Sequence, residues 1–319
     1  MSTARPTAGK SRPLITVRDL VAQFREELGI RVVAGERGLD RPIPVAEVNR
    51  PGLALTGSYH YFAKRRLQVL GKVEIHYVRH LPARARRRRI FHLLQLPIPA
   101  FTVTRNYVPP PELLEGGEKF GVPILRTHEI TMRVVNKYSL WLQDQFAPSV
   151  LSHATLMEVH GVGILIMGRT GVGKSECALG LVERGHIFIA DDVVKLKVTE
   201  GVHLTGYANP QLGHHMEIRG IGIINIQSLF GVKSVRMWKH IDFVVTLEAW
   251  QEGREYERLG IDRESIEILG VRLPNVIVPV KPGRDVALLI ETAAQNEKLR
   301  MLGINVAAQF NKTLIAAMQ

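Results

Sequence analysis

The spacing of apolar residues divides the chain into short strands and helices along most of its length. In residues 16–125, β-rich runs (IRVVAG, PIPVAEV, KVEIHYV, PAFTVT and VPILRT) alternate with stretches of helical periodicity (VRDLVAQFREELG and PPELLEGGEKFG). A longer helix is predicted over residues 128–146, and the sequence Ala-Pro-Ser that follows closes it. We therefore expect an N-terminal α/β domain over residues 1–149 and a second domain over residues 150–319.

The second domain has a pattern that predicts a mixed sheet. The run GVGILIM is apolar throughout, as in a buried strand, and residues 176–184 have helical spacing. The strands HIFIAD, VVKLKV and VHLTGYA follow, and the turn TEG between the last two favours antiparallel pairing. HIDFVVTLEA and NVIVPV predict two more strands, before two helices separated by Gly303. The predicted fold class is α/β, with two domains and a mixed sheet in the second.

A phosphate-binding loop lies between the apolar strand and the helix of the second domain. Residues 168–175 read GRTGVGKS, which matches the pattern G-x-x-x-x-G-K-[ST] without interruption. In such a loop the glycines let backbone N–H groups surround phosphate oxygens, the lysine adds a positive charge and the hydroxyl reaches Mg²⁺. We therefore expect a nucleotide to be bound by eight consecutive residues: Gly168, Arg169, Thr170, Gly171, Val172, Gly173, Lys174 and Ser175.

Charged residues further along the chain are candidates for the chemistry. Asp191 and Asp192 end a predicted strand, where a carboxylate can approach Mg²⁺ or the reacting phosphoryl group. Side chains alternate along a strand, so if Asp192 faces the loop, Asp191 faces away from it or towards the strand edge. Either aspartate could instead be a turn or cap carboxylate. We expect Asp192 to lie beside apolar strand residues, a setting that favours the protonated carboxyl. Glu217 and Arg219, in the segment MEIRGIGIINIQSLFG, either bind Mg²⁺ and phosphate or form an ordinary surface pair.

The histidines and the basic turn KPGR allow two interpretations each. His153 and His160 lie near a predicted strand, where a histidine is either structural or catalytic. His214 and His215 have no metal-ligand spacing to a cysteine, and we expect no zinc site in the chain. Residues 281–284 form a basic turn at the head of a helix, which is either an anion site or an ordinary helix start.

The net charge of +12 raises nucleic acid as a partner. Arg84 and residues 86–89 supply five of the positive charges on one predicted helix, which is either a solvated face or a binding patch. Aromatic residues make up only 6%, too few for a base-stacking platform, so nucleic acid is not the expected partner. The lone Cys177 excludes internal disulfides, and no apolar run reaches the length of a membrane span. We expect a soluble, cytoplasmic protein in which Cys177 is buried.

Five segments, in this order and spacing, resemble bacterial HPr kinase/phosphorylase: GRTGVGKSE, RGHIFIADD, MEIRGIGIINIQSLFG, RLG and PVKPGR. The resemblance covers essentially all of the second domain, and RVVAGERGLDRPI and NRPGLALTG extend it into the first. It implies an ATP- and Mg²⁺-dependent kinase that phosphorylates a serine of HPr, the small phosphocarrier of the sugar phosphotransferase system. It also implies that the same site removes the phosphate with inorganic phosphate, yielding pyrophosphate, and that the protein is a homohexamer regulating carbon metabolism.

The resemblance also implies a role for individual residues. The residues that it makes catalytic are His153, Lys174, Asp192 and Arg258. Asp192 takes the serine proton in phosphorylation and returns it in dephosphorylation. The implied Mg²⁺ ligands are Ser175 and Glu217. Residues 216–225 are implied to serve both reactions, and residues 279–284 to serve dephosphorylation.

Two other functions stay open from the residues themselves. A P-loop phosphotransferase acting on a small metabolite, similar to a carboxykinase, would have much the same nucleotide half. A nucleotide-dependent regulator that binds nucleic acid would use the positive charge and the arginine run. Transfer of labelled phosphate to an HPr serine would distinguish an HPr kinase from the metabolite phosphotransferase. Steeply salt-dependent binding to duplex DNA would support the nucleic-acid regulator.

Overall fold

The computed structural model describes residues 14–253 and 264–310. Within these residues the chain divides into two compact units, one ending at Phe146 and the other beginning at Ala147. No helix of the described residues combines the length and apolar character needed to cross a membrane.

The first unit is built around a five-stranded sheet with helices on both faces. Its strands are β1 (Arg31–Ala34), β2 (Val48–Asn49), β3 (Leu67–Leu70), β4 (Phe101–Val103) and β5 (Ile124–Arg126). Its helices are α1 (Val17–Phe24), α2 (Gly52–Thr56), α3 (Lys72–Arg79), α4 (Ala83–Leu94), α5 (Pro111–Phe120) and α6 (Thr131–Phe146). The strand order is β1-β5-β4-β3-β2, and only the β1–β5 pair is antiparallel. Helices α1 and α6 contribute to one apolar cluster against the sheet, and α2 to α5 contribute to the other.

Two predicted β-rich runs of the first unit differ from the structure: only Val48 of PIPVAEV lies in a strand, and KVEIHYV is a helix. The segment KVEIHYV forms helix α3, and the strand is the preceding run LQVL, which is β3. Glu74 explains the start of the helix, because its Oε2 accepts a hydrogen bond of 2.9 Å from the Gly71 N–H. Ile75 and Val78 are buried at helical spacing. All four residues of β3 are buried, so the strand lacks the alternation that the sequence pattern relies on.

The arginine run forms part of α4, and most of it is engaged within the first unit. Arg86 Nε donates to Glu112 Oε1 at 2.8 Å, and Arg87 makes two bonds of 2.5 Å to Glu115. Arg89 Nη1 donates to the Leu55 carbonyl at 3.0 Å and to the Tyr77 hydroxyl at 2.8 Å. These contacts join α4 to α5 and α2, and they give three of the five arginines a structural role.

The second unit contains two larger sheets and a hairpin. Its strands are β6 (Ser149–Ser152), β7 (Thr155–Val159), β8 (Val162–Gly168), β9 (Ile187–Ala190), β10 (Val194–Thr199), β11 (His203–Tyr207), β12 (His215–Ile218), β13 (Gly222–Asn225), β14 (Trp238–His240), β15 (Phe243–Ala249), β16 (Glu264–Ile268) and β17 (Val271–Val280). Its helices are α7 (Lys174–Glu183), α8 (Ile226–Phe230) and α9 (Val286–Met301). The sheet orders are β16-β17-β15-β8-β7-β9 and β14-β11-β10-β6, and β12 pairs with β13.

The six-stranded sheet lies at the centre of the second unit. One of its faces packs against α7, α9 and the β12–β13 hairpin, and the other contacts the four-stranded sheet. The sheet is mixed as predicted, and β10 pairs antiparallel with β11 across the turn between Thr199 and His203. Cys177 is buried in α7 as expected, and burial raises the pKa of its thiol to about 12.

Candidate active site

The topology of the six-stranded sheet brings the predicted site segments to one edge. Strands β8, β15 and β17 are parallel, and β7 is antiparallel to both β8 and β9. The carboxyl ends of β8, β9, β15 and β17 therefore lie at the same edge, where β7 begins. In sheets of this kind ligands bind beyond the carboxyl ends of the strands. The segments that leave this edge are the phosphate loop, the Asp191–Asp192 pair and the PVKPGR turn.

The phosphate loop connects β8 directly to α7. Gly171 and Gly173 have φ angles of +82° and +100°, which glycine adopts without strain. A Cβ at Gly168 would lie 2.7 Å from the Leu247 carbonyl oxygen, so this position admits only glycine. The loop leads into the amino-terminal turn of α7, whose free N–H groups favour an anion. The geometry fits the phosphates of a nucleotide.

Lys174 is a buried cation at the start of α7. Lys174 is only 5% exposed, and its Nζ donates a hydrogen bond of 3.3 Å to the Gly168 carbonyl oxygen. No carboxylate of the described residues is within ion-pair distance of it. A buried ammonium is costly unless an anion or several acceptors surround it. The position of Lys174 therefore suits a bound phosphate.

Asp191, rather than Asp192, is the carboxylate that contacts the phosphate loop. Its Oδ1 accepts a hydrogen bond of 2.5 Å from Thr155 Oγ1, and the nearby Ser175 hydroxyl is among the groups that lower the pKa of the carboxylate. Oδ2 is buried and has no hydrogen-bond partner. Burial is the main cause that raises the pKa of Asp191. A free lone pair beside the loop serine is a fitting ligand for Mg²⁺.

Two expectations about the aspartate pair are therefore corrected. Asp191 does not face away from the loop, and the apolar setting expected for Asp192 belongs to Asp191. The side chain of Asp192 is 49% exposed, and its backbone φ is +61°. Strand β9 ends at Ala190, so Asp192 lies beyond the region in which side chains alternate. The sequence signal was the Asp-Asp pair itself, but alternation assigned the wrong member to the loop.

His153 and Asp192 are brought together because β7 and β9 are neighbours. His153 precedes β7, Asp192 follows β9, and Leu156 pairs with Ala190. His153 Nδ1 lies 3.0 Å from the Asp192 carbonyl oxygen and 3.7 Å from Asp192 Oδ1. With Nδ1 as the donor to that carbonyl, Nε2 is left as an acceptor toward solvent. Both side chains are about half exposed, so a macromolecular substrate can reach them.

Glu217 and Arg219 lie on the exposed face of strand β12 and the turn after it. Met216 and Ile218 alternate with them and are buried in the apolar cluster that includes α7. A Cβ at Gly171 would lie 2.8 Å from Arg219 Nη1, so the guanidinium rests against the phosphate loop. Glu217 and Arg219 are both exposed, and Arg219 is the first residue after the end of β12. This contact favours the phosphate interpretation of Arg219 over an ordinary surface pair.

Of the two remaining predicted parts of the site, the structure describes residues 279–284, whereas Arg258 lies outside the described residues. Residues 279–284 comprise the last two residues of β17 and the turn after it, and Pro279 pairs with Glu248 of β15. Lys281 Nζ lies 5.5 Å from the centre of the Trp250 ring, which is a cation–π contact. The turn thus lies at the edge shared with the phosphate loop, two strands away.

Two family models cover nearly all of the chain. The model described as HPr Serine kinase N terminus matches residues 15–142, and the HPr Serine kinase C-terminal domain matches residues 144–314. These matches confirm the predicted α/β fold with two domains.

Known proteins similar to this chain include two from bacilli. The HPr kinase/phosphorylase of Bacillus licheniformis is 41% identical over 302 residues, covering 95% of this chain and 96% of that protein. The HPr kinase/phosphorylase of Brevibacillus brevis is 42% identical over 292 residues, covering 92% and 94%. A solved structure, the Hpr(Ser) kinase/phosphatase from Coxiella burnetii, is 32% identical with a TM-score of 0.46, covering 50% of this chain and 97% of that one. The chain therefore belongs to the HPr serine kinase family, as its motifs indicated.

Proposed function

We propose that this protein transfers the γ-phosphoryl group of ATP to a serine of HPr and also removes it by phosphorolysis. The observation that carries the proposal is the convergence of a P-loop, two aspartates, a histidine and an arginine at one sheet edge. Membership of the family supports HPr as the protein substrate. The half-exposed position of Asp192 and His153 suits a serine presented on the surface of another protein.

Binding of the nucleotide falls to the loop and its neighbours. The backbone N–H groups of residues 168–175 surround the phosphates, and Lys174 neutralises their charge. Ser175, Asp191 and Glu217 would hold Mg²⁺, which supplies positive charge to the transferring phosphoryl group. Arg219, beside Gly171, would add a second positive charge at the same place.

The forward reaction begins with the proton of the substrate hydroxyl. Asp192 takes this proton while the serine oxygen bonds to the γ-phosphorus and the bond to the β-phosphate oxygen breaks, releasing ADP. His153 holds the Asp192 backbone through the 3.0 Å contact with its carbonyl oxygen, which keeps the carboxylate in position. Arg258, which the family resemblance makes catalytic, completes the set.

The reverse reaction uses the same groups with the proton moving in the opposite direction. An oxygen of inorganic phosphate attacks the phosphoserine phosphorus, the bond to the serine oxygen breaks, and Asp192 returns the proton to that oxygen. Pyrophosphate is the second product. Microscopic reversibility requires the base of one direction to be the acid of the other.

The test is a two-step assay with purified HPr. Labelled ATP and Mg²⁺ are added first, and excess inorganic phosphate is added after the nucleotide has been removed. The proposal expects label on an HPr serine and then labelled pyrophosphate. A label that stays on HPr would leave a kinase alone, and transfer to a small acceptor instead of HPr would support a metabolite phosphotransferase.

The assembly is part of the same proposal and has its own measurement. The family resemblance implies a homohexamer acting in the cytoplasm, and light scattering after gel filtration gives the mass of the assembly in solution. A hexamer of this chain has six times the 35.7 kDa of the monomer. A monomeric mass together with full activity would contradict the proposed hexamer but leave the proposed reaction supported.

A further inference from the structure

Two histidines and a glutamate form a cluster at the opposite edge of the six-stranded sheet. His160 lies in the turn between β7 and β8, His186 directly precedes β9, and Glu291 lies in α9. This edge is the one at which β9 begins, so the cluster, which we name the histidine cluster, is separate from the phosphate loop. His186 is buried, and the other two residues are partly buried.

The distances within the histidine cluster match those between ligands of one metal ion. His186 Nε2 lies 3.0 Å from Glu291 Oε1, and His160 Nε2 lies 3.4 Å from the same oxygen. The three ligand atoms all lie within 4.8 Å of one another. Zinc binds histidine nitrogen and carboxylate oxygen at about 2.0–2.2 Å in tetrahedral sites, which places neighbouring ligand atoms roughly 3.3–3.5 Å apart. Small side-chain movements therefore suffice to bind the ion.

The groups around the histidine cluster hold its members in these positions. Arg184 Nη1 donates to Glu291 Oε2 at 3.3 Å, which leaves Oε1 directed to the imidazoles. Lys298 Nζ donates to the His160 carbonyl at 2.8 Å and fixes the turn. Such outer contacts orient metal ligands in known sites, although the positive charge of Arg184 lowers the affinity. Gln295 Nε2 lies 3.0 Å from His160 Nε2, and rotation of the amide would present its oxygen as a fourth ligand.

We propose that the histidine cluster binds a first-row transition-metal cation, with Zn²⁺ as the best fit. Imidazole nitrogens favour Zn²⁺ over the oxygen-seeking Mg²⁺ that the P-loop takes. The ion joins α9 to the start of β9 and to the β7–β8 turn, so it stabilises the second unit at the edge away from the reaction. This role is independent of the proposed function, because it requires neither ATP nor HPr.

The test is calorimetric titration of chelator-treated full-length protein with Zn²⁺ in saturating Mg²⁺, which occupies the P-loop cation site. We expect one Zn²⁺ per chain and a rise in Tm when the ion is added. His186→Gln and Glu291→Gln should each weaken binding by more than the ~10–100-fold that loss of an outer contact costs. His160→Asn is the milder variant, because His160 has a φ of +53° that asparagine tolerates.

The matched control is His76→Gln/His80→Gln. His76 of α3 and His80, the residue directly after α3, have ring centres 4.2 Å apart and, like the histidine cluster, form a histidine pair. The control should bind Zn²⁺ as the unaltered protein does. The proposal is overturned if the unaltered protein takes up no Zn²⁺, if all three cluster variants bind it equally well, or if only the α3 control loses binding. In each of those cases the cluster is a hydrogen-bonded ion-pair network only.

Discussion

Buried charges are treated differently in the first unit and at the sheet edge of the second. In the first unit, the buried Glu74 and Glu112 each face an arginine: Arg50 at 2.9 Å and Arg86 at 2.7 Å. Elsewhere in the second unit, the buried Glu158 pairs with Arg236 in the same way. At its sheet edge, Lys174 rests on a carbonyl oxygen, and neither Lys174 nor the buried Asp191 has a partner of opposite charge within ion-pair distance among the described residues.

The difference distinguishes charges that are neutralised within the fold from charges that a bound ligand would neutralise. A buried carboxylate with an arginine recovers much of its desolvation cost within the protein. A buried charge without such a partner leaves the fold less stable than it could be, and sites of this kind cluster where ligands bind. Neutralising substitutions should therefore have opposite effects on stability at the paired carboxylates of the first unit and at the sheet edge of the second.

The largest effect is expected at Asp192. Asp192→Asn removes the group proposed to take and return the serine proton, so both reactions should fall by about 10²–10⁴-fold. Initial rates of HPr phosphorylation and of phosphorolysis measure the two directions separately. Because the side chain is half exposed, the Tm should stay close to that of the unaltered protein. Substantial activity in both directions would remove Asp192 from its role.

Lys174 tests whether the unpaired cation serves the phosphates. Lys174→Ala should reduce nucleotide-driven transfer at least ~100-fold, because a charge directed at the transferring group is lost from a buried site. Lys195→Ala, at an exposed lysine on β10 of the same unit, is the matched control and should keep its rate. Equal transfer rates for the two variants would show that the Lys174 side chain does not contribute to phosphoryl transfer.

A substitution at Asp191 tests whether a buried carboxylate without an arginine lowers the stability of the fold. Its pKa is raised in the folded state, so its contribution favours folding at low pH and is lost as the pH rises through that folded pKa. At neutral pH this carboxyl group therefore disfavours folding, and Asp191→Asn should raise the Tm of the metal-free protein. The gain should shrink as the pH falls and vanish only below the ordinary Asp pKa of about 4, where the carboxyl is protonated in both the folded and the unfolded state.

Two controls sharpen the Asp191 experiment. Asp192→Asn, in the same sequence setting but half exposed, should give no such gain in Tm. Adding Mg²⁺ and ATP should stabilise the unaltered protein more than Asp191→Asn, since the variant has lost a proposed ligand. If Asp191→Asn instead lowers the Tm at neutral pH, the hydrogen bond from Thr155 outweighs the cost of burial.

The sequence predicted that residues 168–175 connect a strand to a helix, but it did not predict the contacts of the aspartate pair. The loop is local, because its eight residues carry their own spacing and lie between one strand and one helix. The role of Asp191 depends on Thr155 of β7, which pairs with the P-loop strand and lies 36 residues earlier in the chain. Alternation along a strand cannot reveal such a contact when the chain leaves the strand at that residue.

The arginine run and the histidine cluster also depend on contacts between residues far apart in the chain, which the sequence pattern did not predict. The sequence places five positive charges on one helix, but their partners Glu112 and Glu115 lie on a different helix. Likewise His160 and His186 meet Glu291, which is more than 100 residues further along. Helices and strands were predicted where periodicity is strong, and KVEIHYV failed because its pattern fits both periods.

In the first unit, neutralising a paired carboxylate should destabilise the fold. Glu74→Gln weakens the two hydrogen bonds from Arg50 and should lower the free energy of unfolding by about 1–3 kcal/mol. Denaturant unfolding followed by circular dichroism measures the change. Glu26→Gln, at an exposed glutamate, is the matched control and should change little. A stabilising Glu74→Gln would contradict the contrast between the two units.

The smallest effects are expected on α4, where two neighbouring arginines differ in the burial of their pairs. Arg86 and Glu112 are 22% and 11% exposed, whereas Arg87 and Glu115 are 49% and 51% exposed. Solvent screens the second pair more strongly, so Arg86→Ala should lower the Tm more than Arg87→Ala. High salt should shrink the effect of Arg87→Ala further, because exposed pairs are the ones that ions screen. Equal losses for the two variants would mean that burial of the carboxylate does not set the strength of the pair.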